Sequence, residues 1–408
     1  MIATIRRAGL AAALLLSGTL ALAQSTPQLA STLPSIPQAR GVVAHNGMVV
    51  AQERMAARIG VEILERGGNA VDAAVAVGFA LAVTYPRAGN LGGGGFMVIH
   101  LSKGAQDVAI DYRETAPEAA TPTMFLDAAG NPDPAKSRDS GLSIGVPGTV
   151  AGLALAHEKY GSGKLSLAEL LAPAIRLAEQ GFTVEDDLAD SLPSAARKLA
   201  RFPSSASILL KDGDKPLQAG DRLIQSDLAE TLKSIASKGP RAFYEGVTAK
   251  LITDAVRNAG GVMTEADLQN YRAIERPVVR GTYRGRTIVS MPPPSSGGVH
   301  LIEMLNILEG YDLRGLGRGD QALHYFIEAM KRAYADRAVF MGDPDSVKIP
   351  QAGLISKKYA ESCALGSPPR RRRRQRFVPA SPASMKARTP RTTPSSIATA
   401  TPCPTPTR

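Results

Sequence analysis

The chain has 408 residues, 44% of them hydrophobic and 5% aromatic, with no Trp and a formal net charge of +11; that length suits two ordinary domains or one large layered one, with a core rich in small side chains. Ten of the Lys and Arg residues and no acid lie from Cys363 to Arg408, which leaves +1 for residues 1–362, so the charge belongs to the tail and a nucleic-acid-binding body is excluded. Cys363 and Cys403 are the only cysteines and His157-Glu158 has no second His four residues on, so the body has no disulfide, no Cys-ligated zinc, no Cys nucleophile and no zinc-protease motif.

Arg6-Arg7, the apolar run "GLAAALLLSGTLAL" and Ala21-Leu22-Ala23 read as a secretory signal peptide over residues 1–23. The run is short for a bilayer span, and a periplasmic or secreted location is expected. Residues 24–40 are a polar linker punctuated by Pro. The body, residues 41–362, opens on a predicted strand "GVVA". A helix follows over Glu53–Arg66, with Met55, Ile59 and Ile63 on one face and Gly67-Gly68 as its stop. Asn69, with Asp72 three residues on, caps a second helix that is apolar or small on nearly every face and therefore buried.

Gly92 to Gly95 then precede a strand from Phe96 to Leu101. No Lys-Ser/Thr and no helix follow them, so a phosphate loop is excluded; the glycines allow close approach of backbone or of a substrate. "DVAIDYRE" completes a hairpin with that strand. Residues 161–275 read as mostly helical, including an amphipathic helix ending at Gly181 and a capping box from Thr264 to Asp267. "GTYRGRTIVSM" reads as a strand, and "MPPPSSGG" breaks it and feeds the helix "VHLIEMLNILEG". "HYFIEAMKRAYADRAVFMGDPD" and "ISKKYAES" close the body. Strands and helices alternate in groups, which predicts a layered α/β arrangement.

Three places could carry chemistry. Arg113, at a strand end after the glycines, has the planar fork that grips a carboxylate, or it pairs with Asp111 or Glu114. Ser295 and Ser296 sit where a helix N-terminus favours anions, or they merely cap a rigid turn; no G-x-S-x-G elbow surrounds them. Asp336, Asp343 and Asp345 are spaced for a metal or, more simply, for an ion-pair network that includes Arg337.

Taken together, "GGNAVDAAVAVGFALAVTYPRAGNLGGGGFMVIH", "DYRETAP", "GVPGTVAG" and "MPPPSSGG" resemble the γ-glutamyltransferase family, the glutathione-hydrolysing enzymes, over Gly41 to Ser362. The resemblance implies an N-terminal-nucleophile hydrolase, an αββα sandwich made as a proenzyme that cleaves itself into a large and a small subunit. It implies that the new N-terminal Thr of the small subunit attacks the γ-glutamyl amide, with its own α-amino group as base and backbone amides holding the oxyanion. The glutamyl group would pass to water or to an amino acid or peptide acceptor, with no metal and no cofactor. Arg113 matches the family Arg that holds the α-carboxylate of the glutamyl group. The Thr-Thr-His-Tyr/Phe-Ser segment that starts the small subunit is not visible, so no catalytic nucleophile is assigned, the sandwich is expected to be incomplete and the chain inactive. Two alternatives stay open: a cephalosporin or glutaryl acylase of the same fold, and a non-catalytic exported protein whose "RRRRRQR" binds polyanions.

Residues 363–408 match nothing upstream: the last twenty are rich in Thr and Pro, with no acid. They are expected to be the family's gene read out of frame, and disordered for want of an apolar pattern. Shifted by one base, visible Thr codons require hidden His, Tyr, Asn or Asp, and visible Pro and Arg require Ser, Thr, Ala or Pro. The family-like string "NTTHYSVVDRDGNAVSNTYT" meets these rules under residues 389–408, with its nucleophile Thr under Pro390.

Overall fold

A computed structural model describes residues 41–363; the expected signal peptide, the linker and the tail after Cys363 lie outside the described residues. Residues 41–46 belong to a separate short unit without regular structure, and residues 47–363 form the body. The strand expected at "GVVA" does not form, and Val42 and Val43 remain exposed. A β-prone tetrapeptide becomes a strand only when a ladder partner takes its N–H and C=O groups.

The first helix, α1 (Arg54–Glu65), is started by Glu53, whose carboxylate accepts the N–H groups of Met55 and Ala56 at 2.7 and 2.8 Å. It buries Ala56, Ile59, Gly60 and Ile63, and Gly67 at φ +88° lets the chain turn away. Helix α2 (Ala70–Thr84) has the full Asn69/Asp72 capping box and is buried along most of its length, as its composition requires. It packs on α1 so closely that a Cβ on Gly60 would lie 2.7 Å from Val77. Phe79, at 0% exposure, is one of its anchors; burying such a side chain contributes ~1.5–3 kcal/mol.

Strands β1 (Gly95–Leu101) and β2 (Gln106–Tyr112) form the expected hairpin, in register from Gly95 opposite Tyr112 to Leu101 opposite Gln106. Helix α3 (Thr149–Tyr160) packs between α2 and the hairpin. Helix α4 (Leu167–Gln180) has a Ser166/Glu169 capping box and ends at Gly181, and α5 (Ser226–Lys238) lies against it. The short α6 (Glu265–Asn270) carries the Thr264/Asp267 box. Strand β3 (Ile274–Arg276) then adds antiparallel to β2, giving a three-stranded sheet in the order β1-β2-β3. Its central strand buries Val108 to Asp111 without a break, because both edges and the α3 face cover it.

The stretch read as one strand, "GTYRGRTIVSM", is a hairpin of β4 (Val279–Tyr283) and β5 (Arg286–Ser290). Arg284 and Gly285, at φ +47° and +76°, make the two-residue turn that matches the twist of the flanking strands. Helices α7 (Gly297–Glu309), α8 (Asp320–Phe340) and α9 (Lys357–Ser362) close a second core around Val279, Val299, Ile302 and Tyr325. The first core runs from Ala56 to Tyr271.

Candidate functional site

Arg113 leaves the end of β2, and its backbone is held on both sides. Its N–H donates to Asp111 Oδ1 at 3.1 Å, and its carbonyl accepts the Tyr271 hydroxyl at 2.8 Å. Tyr271 is itself fixed by stacking on Tyr244, with ring centroids 5.8 Å apart. Burial pushes the Tyr271 phenol up, with the neighbouring Tyr244 adding, so it stays a neutral donor. Tyr244 in turn donates to the Pro147 carbonyl and accepts the Ala151 N–H.

The glycines serve this packing. Gly93 presents its carbonyl to the N–H groups of Gly148 and Thr149 at 2.8 and 3.0 Å, which joins "GGGG" to "GVPGTVAG". A Cβ on Gly94 would lie 2.5 Å from the Tyr112 carbonyl oxygen, and one on Gly148 would lie 2.1 Å from the Tyr271 hydroxyl. Gly92 and Gly93 also line a hollow beside Arg113, and a Cβ on Gly92 would meet only Asn90 Oδ1 at 3.7 Å. The run therefore combines close backbone packing with a hollow.

The Arg113 guanidinium lies 6.0 Å from the Phe96 ring centroid, at the edge of cation–π range. Among the described residues it makes no ion pair. The pairing with Asp111 that its sequence position allows is pre-empted: Asp111 Oδ2 accepts Arg276 Nε at 2.8 Å. The other end of Arg276 meets Asp345 at 2.7 Å. Asp345 is the larger cause of holding the Arg276 guanidinium above its ordinary value, with Asp111 adding and burial opposing; Arg276 in turn holds Asp345 below the carboxylate range.

Arg113 opens into a cleft of about 400 Å³ that Arg276, Ser296, Arg337, Asp343 and Asp345 also line. Residues 113–116 wall it off from a second hollow of about 750 Å³ on the Gly92 side. At the cleft's far edge Arg337 Nε donates to Ser296 Oγ at 3.0 Å, and Ser295 Oγ accepts the Gly297 N–H. Guanidinium groups and the Asp343 and Glu114 carboxylates thus line one cleft, which suits a zwitterionic ligand such as an amino-acid head group.

The acid cluster divides. Asp345 faces Arg276 in the cleft, Asp343 accepts the Asp345 N–H, and Asp336 turns inward to Tyr359. Among the described residues no group of three His, Cys, Asp or Glu side chains could hold a metal ion. Sequence reasoning missed Tyr271 and Arg276, which reach Arg113 and Asp111 across 158 and 165 residues. It also missed the buried pairing of His300 with Glu303 at 2.7 Å, for which the three-residue spacing on a predicted helix was an available signal.

The profile described as Gamma-glutamyltranspeptidase matches residues 56–399. The Glutathione hydrolase proenzyme of Escherichia coli (strain K12) is 48% identical over 370 residues, covering 88% of this chain and 62% of that protein. The Acylase ACY 1 proenzyme of Pseudomonas sp. (strain V22) is 46% identical over 322 residues, covering 77% of this chain and 57% of that one. Among solved structures, the gamma-glutamyltranspeptidase of Helicobacter pylori is similar at a TM-score of 0.77 and 46% identity, over 79% of this chain and 92% of that one. The chain spans less than two thirds of the length of these two curated relatives.

Proposed function

The chain belongs to the gamma-glutamyltranspeptidase family, with the layered N-terminal-nucleophile hydrolase fold, and on that premise we propose that Arg113 grips the α-carboxylate of a γ-glutamyl donor such as glutathione. The observation that carries this reading is the Arg113 guanidinium itself: with its backbone held on both sides and no ion pair among the described residues, it lines a cleft that carboxylates also line. The fork takes the ligand's carboxylate, and Glu114 or Asp343 takes its ammonium group.

In the reaction we assign, a Thr hydroxyl attacks the γ-amide and the glutamyl group passes to water or to an amino acid or peptide acceptor. No metal or cofactor takes part. Residues 41–363 supply the recognition half; the nucleophile and its base come from a small-subunit segment of the same precursor. No Thr-Thr-His string occurs in the chain, since Thr392-Thr393 is followed by Pro394, so the chain by itself does not turn over a γ-glutamyl anilide. Export to the periplasm with loss of residues 1–23 belongs to the same reading; N-terminal sequencing of the mature protein checks it. Among the described residues no helix is long and apolar enough to cross a membrane.

Calorimetric titration of the purified chain with glutathione tests the site. Arg113→Lys keeps the charge and loses the fork, which should weaken binding by about 1.5–3 kcal/mol. Equal affinity in the two proteins, or no binding to the unmodified chain, overturns the assignment. The similarity to Acylase ACY 1 supports a second reading, a glutaryl or cephalosporin side chain as donor. A glutaryl donor keeps the terminal carboxylate of a γ-glutamyl group and lacks only its ammonium, so its binding should respond to Arg113→Lys but not to loss of the Glu114 or Asp343 carboxylate.

A further inference from the structure

Behind the cleft, α7, α8 and α9 meet around four polar side chains. Glu303 is 0% exposed, Asp336 1%, His300 5% and Tyr359 8%. His300 Nδ1 lies 2.7 Å from Glu303 Oε2, and the Tyr359 hydroxyl donates to Asp336 Oδ2 at 2.7 Å. Asp336 acts on the Glu303 carboxyl from α8, the helix packed against α7. Yet among the described residues Glu303 Oε1 and His300 Nε2 find no partner.

Two ionised carboxylates offer only acceptors, so they cannot bond to each other and would leave two like charges in the core. One proton between them supplies the missing donor and removes one charge. We infer that Glu303 and Asp336 share a single proton in the folded chain and form a pH-sensitive clasp between α7 and α8.

The other groups fit this arrangement. His300 Nδ1 faces Glu303 while its Nε2 has no partner among the described residues, so Nδ1 is the ring nitrogen placed to donate to Glu303. Tyr359 donates to Asp336 from the third helix. Of the remaining elements against α7, β4 brings Val279, β5 brings Ile288 and residues 351–354 bring Leu354, all apolar side chains of the same core. Arg337 follows Asp336 in sequence but turns to Ser296.

Burial is the main cause that pushes the Glu303 carboxyl up; His300 opposes it and Asp336 adds to it. A carboxyl raised in the folded state contributes stability that is fully present below its unfolded value and is lost as pH rises through its folded one. Losing the proton sets two carboxylates against each other between α7 and α8. Those two helices also hold the Ser296–Arg337 contact at the cleft edge, so the clasp couples the cleft to pH.

Infrared spectroscopy and thermal melting of the full chain between about pH 5 and pH 8 test the clasp. The unmodified chain should show a buried protonated-carboxyl stretch at pH values where exposed carboxylates are ionised. That band should fade as pH rises, and the melting temperature should fall by a few degrees over the same range. Glu303→Gln keeps a donor facing Asp336 without a titrating proton, so both the band and the pH-dependent loss should disappear. The idea is overturned if the unmodified chain shows no such band, or if Glu303→Gln retains both. Should that variant fail to fold, Asp336→Asn must remove the same band, and its persistence there overturns the clasp equally.

Discussion

Four glycines in a row look alike in the sequence, but their surroundings rank them. A Cβ at Gly94 would meet the Tyr112 carbonyl at 2.5 Å and the Glu114 amide at 2.8 Å, and backbone cannot swing aside. At Gly92 the nearest atom is the Asn90 side-chain oxygen at 3.7 Å, an ordinary contact. Gly94→Ala should therefore cost roughly 1–3 kcal/mol by overpacking, whereas Gly92→Ala should lie within about 0.5 kcal/mol of the unmodified chain. Urea midpoints at unchanged m would separate the two; equal midpoints would remove the close-packing role given to the run. Tyr271 makes a finer case. Tyr271→Phe keeps the stack on Tyr244 and removes only the hydroxyl on the Arg113 carbonyl. The loss of one hydrogen bond should be about 0.5–1.5 kcal/mol, with glutathione binding weakened alongside because the Arg113 backbone loosens. An unchanged urea midpoint together with unchanged binding would deny Tyr271 its positioning role. None of this was legible from position: Arg113 stood out through the family's "DYRETAP" string, while Tyr271 lies 158 residues away with no motif around it.

Elements whose signals are local were legible to within a residue or two. The expected Asn69/Asp72 and Thr264/Asp267 boxes both form, because each needs only the residues within one helical turn, and Ser166/Glu169 forms a third that the sequence reading did not single out. Elements that depend on a distant partner were not. "GVVA" has strand composition but forms no ladder, and β3 is a strand only because β2 lies beside it. The β4–β5 turn lies between: Arg284-Gly285 has the Xaa-Gly form of a two-residue hairpin loop, a signal outweighed by the apparent continuity of "GTYRGRTIVSM". The Asn69 cap can be tested directly. Its side-chain oxygen accepts the N–H groups of Val71 and Asp72, and its amide nitrogen donates to the Tyr160 carbonyl at 2.7 Å. Asn69→Ala should destabilise the chain by about 0.5–2 kcal/mol from the cap. Asn69→Asp restores the acceptor but not the donor to Tyr160, so it should recover only part of the loss. Full recovery in chemical denaturation would show that the Tyr160 contact contributes nothing.

At the scale of the molecule, α8 turns an apolar row outward. Leu323, Phe326, Ile327, Met330 and Tyr334 are 60%, 49%, 47%, 42% and 61% exposed. They recur at the three- and four-residue spacing of one helical face, while Tyr325, Ala329 and Ala333 on the opposite face enter the core. Periodicity alone shows that such a helix has an apolar side; this one has two, and only packing distinguishes the buried one. Contiguous apolar surface of this kind favours association. The chain's net charge of +11 is concentrated in residues 363–408, which leaves only +1 for residues 1–362 that carry this face, so charge gives the face itself little protection. The chain purified alone should therefore self-associate as its concentration rises, in a manner that added salt does not reverse. Leu323→Lys with Met330→Glu places opposite charges seven residues apart on the exposed face without touching the buried one. The double variant should sediment as a smaller species at the same concentration and melt within a few degrees of the unmodified chain. If the two proteins sediment alike, the α8 face does not drive association; if the variant melts far lower, the row is packed against something and is not exposed.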